Sequence, residues 1–291
     1  MDSIGLVGCG QIGGRLAGVL ARAGTAVRAF DVDPARAAAA GAEPVARPAD
    51  LADEPAVLLS LPSSAEVEAV LDGPDGLLAA AGPGLLVIDL TTADPSSTQA
   101  LQARAAARGV ALVDAGVTGG AAAAERGELV VLVGGEPADV ERALPVLAPI
   151  SRQALVMGGP GAGHAAKAVN NVLNAVTLAA TGEAMLAGAA WGLDPARLLE
   201  AINAGSGRSW ASEHRFPRIV AGEEMPGGLS VALMAKDVDV FLRLAEEAGT
   251  PRAIAEAAVA AYRAAVEQGH GDEVANAIVA AMNGGRPLTD A

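Results

Sequence analysis

The stretch Ser3-Ile4-Gly5-Leu6-Val7-Gly8-Cys9-Gly10-Gln11-Ile12-Gly13 decides the fold. An apolar run from Ser3 to Val7 ends on glycines spaced G-x-G-x-x-G, and beyond them Ile12, Leu16, Val19 and Leu20 recur three and four residues apart. That order predicts a strand, a tight turn and the start of a helix. At such a turn Gly8 permits the bend, Gly10 lets backbone approach a pyrophosphate, and Gly13 lets helix and strand pack closely. The unpaired N–H groups from Gln11 and Ile12 onward then face the phosphates. A second apolar run, Ala26 to Phe30, ends at Asp31, 18 residues after Gly13. A dinucleotide-binding fold places there the acid that accepts the adenosine ribose hydroxyls, the alternative being a solvated carboxylate at a strand end. The next residues are Val32, Asp33 and Pro34. No arginine follows directly to meet a 2′-phosphate, so the site suits NAD, and Asp33 reads as a helix N-cap before Pro34.

A chain of 291 residues with 52% hydrophobic content can build one large or two ordinary domains. Its 20 basic and 34 acidic side chains give a net charge of −14, which makes nucleic acid and anionic membranes poor partners. The single cysteine, Cys9, excludes an intrachain disulfide and suits a small filler between two glycines. His164, His214 and His270 show no metal-ligand spacing, so no metal is expected. The first strand begins beside Met1 with no basic region ahead of it, which predicts a cytoplasmic protein without a secretion signal.

Further strands are expected at 56–60, 85–90, 110–115, 129–134 and 154–157, with alanine-rich helices between many of them. Alternation of this kind implies an α/β domain with a mainly parallel sheet, which the later, closely spaced strands can extend by antiparallel pairing. After Gly158-Gly159-Pro160-Gly161 the character changes. Residues 165–190 read as one long helix of about 26 residues, on the order of 39 Å. A membrane span is the rival reading at that length, and Lys167, Asn170, Asn171, Asn174 and Glu183 argue against it. Helices at 195–203, 211–221, 230–248, 251–268 and 272–282 would complete an all-helical domain. The division is therefore 1–160 and 161–291, with a frayed tail from Asn283.

On the long helix Lys167, Asn170, Asn171 and Asn174 share one face. Glu183 projects to nearly the opposite side and reads as a buried, hydrogen-bonded structural carboxylate. The stripe is either a solvated face or a site. Lys167 is the only basic residue between Arg152 and Arg197, and Gly161-Ala162-Gly163 would bring the helix start close to another backbone or a ligand. Partial positive charge and desolvation there would favour a lysine able to move a proton near neutrality.

Gly8 to Gly13 with Asp31, Asp114-Ala115-Gly116-Val117-Thr118-Gly119-Gly120, Gly161 to Asn171, and Lys236-Asp237 resemble, in order and spacing, the four signatures of the β-hydroxyacid dehydrogenases. The resemblance covers essentially the whole chain. It implies an N-terminal Rossmann domain, an all-α C-terminal domain around the long helix, and NAD- or NADP-dependent oxidation of a 3-hydroxy acid. It also implies a homo-oligomer, dimeric or tetrameric through the helical domain. By the resemblance Thr118 and the backbone of Gly119 and Gly120 hold the substrate carboxylate, and Lys167 is the acid/base. Asn171 binds substrate, Lys236 sits by substrate and nicotinamide, and Leu61, Pro62 and Thr92 line the cofactor. Gly116 stands where the family usually has proline, Thr118 where serine is commonest, and Val274 and Asn276 where Asp and Ser are commoner.

Ser206-Gly207-Arg208-Ser209-Trp210 resembles a stretch of the 3-hydroxyisobutyrate dehydrogenases, which implies a small branched or short-chain 3-hydroxy acid or its semialdehyde as partner. Arg208 could pair with a carboxylate or form an interhelical salt bridge, and Trp210 could wall a pocket or fill the core. Tartronate and succinate semialdehyde reductases share the catalytic segments. Imine reductases usually lack the lysine. 6-Phosphogluconate dehydrogenases carry histidine-asparagine where this chain has Asn170-Asn171. From a different class, a non-catalytic dinucleotide-binding scaffold would lack Lys167.

Overall fold

The computed structural model describes residues 2–223, 225 and 228–288. The chain divides into two compact units, Met1–Lys167 and Ala168–Ala291. In the first, eight strands form one sheet: β1 (Ser3–Val7), β2 (Ala26–Phe30), β3 (Glu43–Pro44), β4 (Ala56–Leu59), β5 (Leu86–Asp89), β6 (Ala111–Thr118), β7 (Leu129–Gly134) and β8 (Ser151–Gly158). Their order is β3-β2-β1-β4-β5-β6-β7-β8. Neighbours from β3 to β6 pair in parallel, β6 and β7 are antiparallel, and β7 and β8 are again parallel.

Strands buried on both faces are mainly apolar, and the central β4, Ala56–Leu59, is apolar throughout while β5 and β6 are interrupted only by the buried Asp89 and Asp114 and, at the end of β6, Thr118. Leu58, Leu86 and Ile88 enter one core cluster while Val57, Leu59 and Val87 enter the other. The strand order reverses direction between β1 and β4, and it is outside the carboxyl ends of strands at such a point that α/β sheets bind ligands. Two features lay beyond the expectation. The edge strand β3 is only two residues and contains Pro44, and β6 and β8 each run to eight residues.

The long helix is Ala162–Ala190, 29 residues, and begins three residues earlier than the pattern suggested. Among the described residues it is the one helix long and apolar enough to cross a membrane, by length and composition only. Within the second unit its Val172, Ala175, Leu178, Ala179 and Met185 lie in a protein core with Phe216, Val238 and Tyr262. Glu183, expected to be buried, is exposed. Pro195–Ala204 runs one residue past its expected end, and the helices after it are shorter than expected. Ala211–Arg215 is a π-helical turn ahead of Phe216–Ala221, Ala253–Ala265 gives way to a second π turn at Val266–His270, and the last helix starts only at Ala277. Residues 272–276 instead carry a bridge from Val274 to Ser230. The expected frayed tail is anchored in part, since Leu288 is buried in the core, and 289–291 lie outside the described residues.

Candidate active site

The glycine turn is built as the spacing dictates. Gly8 stands at φ +90°, and a Cβ there would lie 2.3 Å from Ser60 O. A Cβ on Gly13 would lie 1.9 Å from Gly8 O, so the helix start sits directly on the turn. Gly10 differs, because a Cβ on it would meet nothing within 4 Å. The helix Gly13–Arg22 that follows has no side-chain cap at Ile12, and within its first turn Gly14 N donates to Gly10 O and Arg15 N to Ile12 O at 3.0 Å each. Asp31 lies beside this turn, its carboxylate accepting from Cys9 N at 2.7 Å and from Asp33 N at 2.9 Å. Asp33 caps its helix through Ala35 N, as expected. Cys9 is a filler: burial, and then the nearby Asp31 charge, push its thiol up to about 11.

The other cofactor candidates lie at the same carboxyl edge. Leu61 N donates to Thr91 Oγ1 at 3.2 Å, joining the end of β4 to the Thr91-Thr92 turn after β5. Leu61 Cδ2 lies 3.2 Å from where a Gly8 Cβ would be. Gly8, Leu61 with Pro62, and Thr92 thus come together around the switch point. An open glycine cradle, an uncapped helix start and a carboxylate at the end of β2 fit a dinucleotide's pyrophosphate and ribose.

At the far end of β6 stand the candidates for substrate. Thr118 closes the strand opposite Val130, and Gly119 and Gly120 follow at φ +121° and +70°, where a side chain is strained. A Cβ on Gly120 would meet nothing within 4 Å. Lys167 is buried, and its stem passes close over Gly116 on the same strand.

The start of the long helix is occupied by protein. Asp114, fully buried, accepts from Gly161 N and His164 N at 2.9 Å each and from Gln102 Nε2 at 3.1 Å. A buried carboxylate therefore satisfies the helix N–H groups that the sequence turned toward another backbone or a ligand. His164, also fully buried, is held by Thr98 Oγ1 at 2.8 Å and Asp89 O at 3.2 Å. Burial raises the Asp89 carboxyl above its usual range, and Asp89 Oδ1 accepts from Thr91 N. Sequence reasoning gave no role to Asp89, Thr91, Thr98 or Asp114. The available signal was an acid standing inside or at the end of an apolar strand run.

In the second unit Asn171 is buried and its Nδ2 donates to Asp237 Oδ2. Lys236 Nζ lies 2.8 Å from the other oxygen, Oδ1, as an ion pair without the alignment of a hydrogen bond. One buried carboxylate therefore grips both of the unit's candidate substrate residues. The polar stripe splits: Lys167 and Asn171 are buried, Asn174 is half-buried and Asn170 is exposed. Lys167 and Lys236 are the chain's only two lysines. Arg208 pairs with Glu213 at 3.7 Å at the surface. Trp210 is 52% exposed, which rules out a core tryptophan, and it stacks on His214 with Arg215 over its ring. Asn276, at a departure from the family pattern, accepts from the buried Arg215 at 2.7 Å.

A doubly wound sheet with a pyrophosphate turn at its switch point, joined to an all-helical unit, defines a nicotinamide-dinucleotide oxidoreductase. Two family models match in tandem. The NAD binding domain of 6-phosphogluconate dehydrogenase covers residues 3–159, and the NAD-binding domain of NADP-dependent 3-hydroxyisobutyrate dehydrogenase covers 161–282. The chain is 34% identical to 2-(hydroxymethyl)glutarate dehydrogenase of Eubacterium barkeri, over 95% of this chain and 93% of that one. It is 37% identical to L-threonate dehydrogenase of Cupriavidus necator, over 95% of each. The solved Mycobacterium tuberculosis 3-hydroxyisobutyrate dehydrogenase with L-serine is similar at a TM-score of 0.87 and 30% identity, over 97% of this chain and 99% of that one. The chain belongs to the β-hydroxyacid dehydrogenase family and is an NAD(P)-dependent oxidoreductase.

Proposed function

We propose that the enzyme interconverts a short-chain 3-hydroxy acid, 3-hydroxyisobutyrate or a close analogue, and its semialdehyde, with Lys167 as general acid/base. The observation that carries this reading is the seating of the Lys167 stem over Gly116, two residues before Thr118 and therefore on the same strand face. The dinucleotide, held by Gly8, Gly10, Gln11, Ile12, Gly13, Asp31, Leu61, Pro62 and Thr92, supplies hydride exchange when bound. Lys167 Nζ takes the hydroxyl proton in oxidation and returns it in reduction. Thr118 and the N–H groups of Gly119 and Gly120 bind the substrate carboxylate. Asn171 and Lys236, both held by Asp237, are the substrate residues of the second unit.

The molecules for which these relatives are named differ in the rest of the structure and keep a hydroxyl and a carboxylate, which is the common part this site would read. Lys167→Ala should lower kcat by roughly 10²- to 10⁴-fold while NADH affinity holds within about twofold, and Lys167→Arg should not restore it. Near-normal turnover of folded, NADH-binding Lys167→Ala would refute the mechanism. Simple alcohols turning over as well as 3-hydroxy acids would refute the carboxylate cradle. The reading includes a cytoplasmic homo-oligomer, supported by exposed Val169 and Leu173 on the long helix and Trp191 just after it. A solution mass of 28.6 kDa by light scattering would contradict the assembly.

A further inference from the structure

Arg215 is the one buried basic side chain among the described residues of the helical unit, and no acid pairs with it there. It closes the π turn Ala211–Arg215 on the turn's buried side, with Ala211 and Ser212, and only 5% of it is exposed. Its single hydrogen bond runs from Nη1 to the neutral amide of Asn276, and Nε is buried with no acceptor. The ring of Trp210 covers one face of the guanidinium, its centroid 5.3 Å from Cζ. The acids nearest in sequence are engaged elsewhere, Glu213 with Arg208 at 3.7 Å and Glu223 with Arg218 at 3.8 Å.

Burial pulls the guanidinium below its ordinary pKa, and the one group that acts against this is the Tyr262 phenol. Arginine nonetheless keeps its charge at neutral pH. A buried charge is tolerated where it is paired, and half of a pair standing alone is costly. Half of a pair is what this unit presents.

The unpaired edge has a definite chemistry. With Nη1 turned to Asn276 and one face under Trp210, the Nε–H and an Nη2–H remain as parallel donors along one edge, which a planar carboxylate accepts side-on. A single buried positive charge matches a monoanion. Asn276, standing where the family commonly has serine, also offers Nδ2, whose partner is the Met225 thioether at 3.6 Å, a weak acceptor.

We infer that Arg215, Asn276 and Trp210 form a binding site for a small carboxylate in the helical unit. Either of two sources supplies it: the second carboxylate of a hydroxy diacid, which makes Arg215 a specificity residue of the reaction, or a separate carboxylate. Location favours the first. Tyr262, close enough to act on the guanidinium, donates to Ala175 O at 3.0 Å, and Ala175 lies one helical turn beyond Asn171. That source rests on the reading of Asn171 as a substrate residue.

Thermal denaturation of the whole chain tests the site without relying on turnover. At about 20 mM acetate the rise in melting temperature of the parent should exceed that of Arg215→Met by at least about 2 °C. Acetate held by the cradle at Thr118 to Gly120 adds equally to both and cancels. Lys167→Ala should rise like the parent, so failure of the proposed acid/base and failure of this site are told apart. 3-Hydroxyglutarate and 3-hydroxybutyrate, which differ by a terminal carboxylate, distinguish the sources. If the substrate supplies the carboxylate, the parent should prefer the diacid at least about tenfold in kcat/KM, and Arg215→Met should lose that preference. A thermal difference without such a preference assigns the site to a separate carboxylate. Equal thermal rises in parent and Arg215→Met, with no preference that depends on Arg215, overturn the inference. Should Arg215→Met not fold, Arg215→Lys carries both measurements, because an ammonium keeps the charge and lacks the parallel donors. It should bind acetate at least about tenfold more weakly, and a lysine variant equal to the parent in both measurements overturns the site.

Discussion

Gly10 and Gly13 belong to one turn, yet replacing each by alanine should have opposite effects on stability. A methyl on Gly10 meets nothing within 4 Å, and its φ is not positive. Gly10→Ala therefore adds no clash and restricts the unfolded chain, a gain of about 0.4–1 kcal/mol. A methyl on Gly13 would sit 1.9 Å from Gly8 O, more than 1 Å inside contact distance, against backbone that cannot rotate away. Overpacking of that kind costs about 1–3 kcal/mol or more. At about 2–4 °C per kcal/mol for a unit of this size, Gly10→Ala should melt about 1–4 °C higher than the parent and Gly13→Ala about 2–12 °C lower. The space above Gly10 is where the dinucleotide phosphates would lie, so NADH binding should weaken at least about tenfold in Gly10→Ala, or about 1.4 kcal/mol. Thermal denaturation followed by circular dichroism gives the first quantity and quenching of tryptophan fluorescence by NADH the second. Gly10→Ala that binds NADH like the parent would refute the placement of the phosphates, and Gly13→Ala of undiminished stability would refute the packing argument.

Asp114→Asn should destabilise the protein by about 2–4 kcal/mol, because one charge-assisted bond is lost and His164 N–H comes to face an amide donor. Gln102 cannot flip to compensate, since the same nitrogen also donates to Leu112 O. A urea midpoint equal to the parent's would contradict this. Cys9, with its thiol raised from 9.0 to about 11, should react at pH 8 at least about thirtyfold more slowly in the folded than in the denatured protein. The folded state keeps that proton where the unfolded chain has lost it, so the contribution of Cys9 to stability is whole below about pH 9 and falls as pH rises toward 11. Denaturation midpoints of the parent and Cys9→Ala over that range check the sign. NAD should exceed NADP at least about tenfold in kcat/KM, because Asp31 would repel a 2′-phosphate, and equal efficiencies would dismiss that role.

The strands and the glycine turn were legible in the sequence because their causes are local. Periodicity, glycine spacing and an acid at the end of β2 all lie within a few tens of residues. The anchoring of the long helix was not, because Asp114 meets Gly161 across 47 residues and His164 meets Thr98 across 66. Glu183 was misplaced for a related reason. Helical geometry fixes which residues share a face, and only the packing partners fix which face is covered. The π turns at Ala211–Arg215 and Val266–His270 leave the apolar pattern almost unchanged, so the sequence ran them into their neighbours. The candidate substrate residues were legible as motif members, and the carboxylate of Asp237 that joins Asn171 to Lys236 became visible only as geometry.

Both ε-amines of this chain belong to residues proposed for the reaction, while the other 18 basic side chains are arginines. Amine chemistry is consequently a poor way to handle this enzyme and a good way to interrogate it. Apart from the α-amino group, coupling to an activated-ester or aldehyde support has only Lys167 and Lys236 to use, and attachment there would take the proposed machinery with it. Reductive methylation with ¹³C-formaldehyde would, for the same reason, yield a spectrum with two side-chain signals, each reporting on a group in the proposed site rather than on the bulk surface.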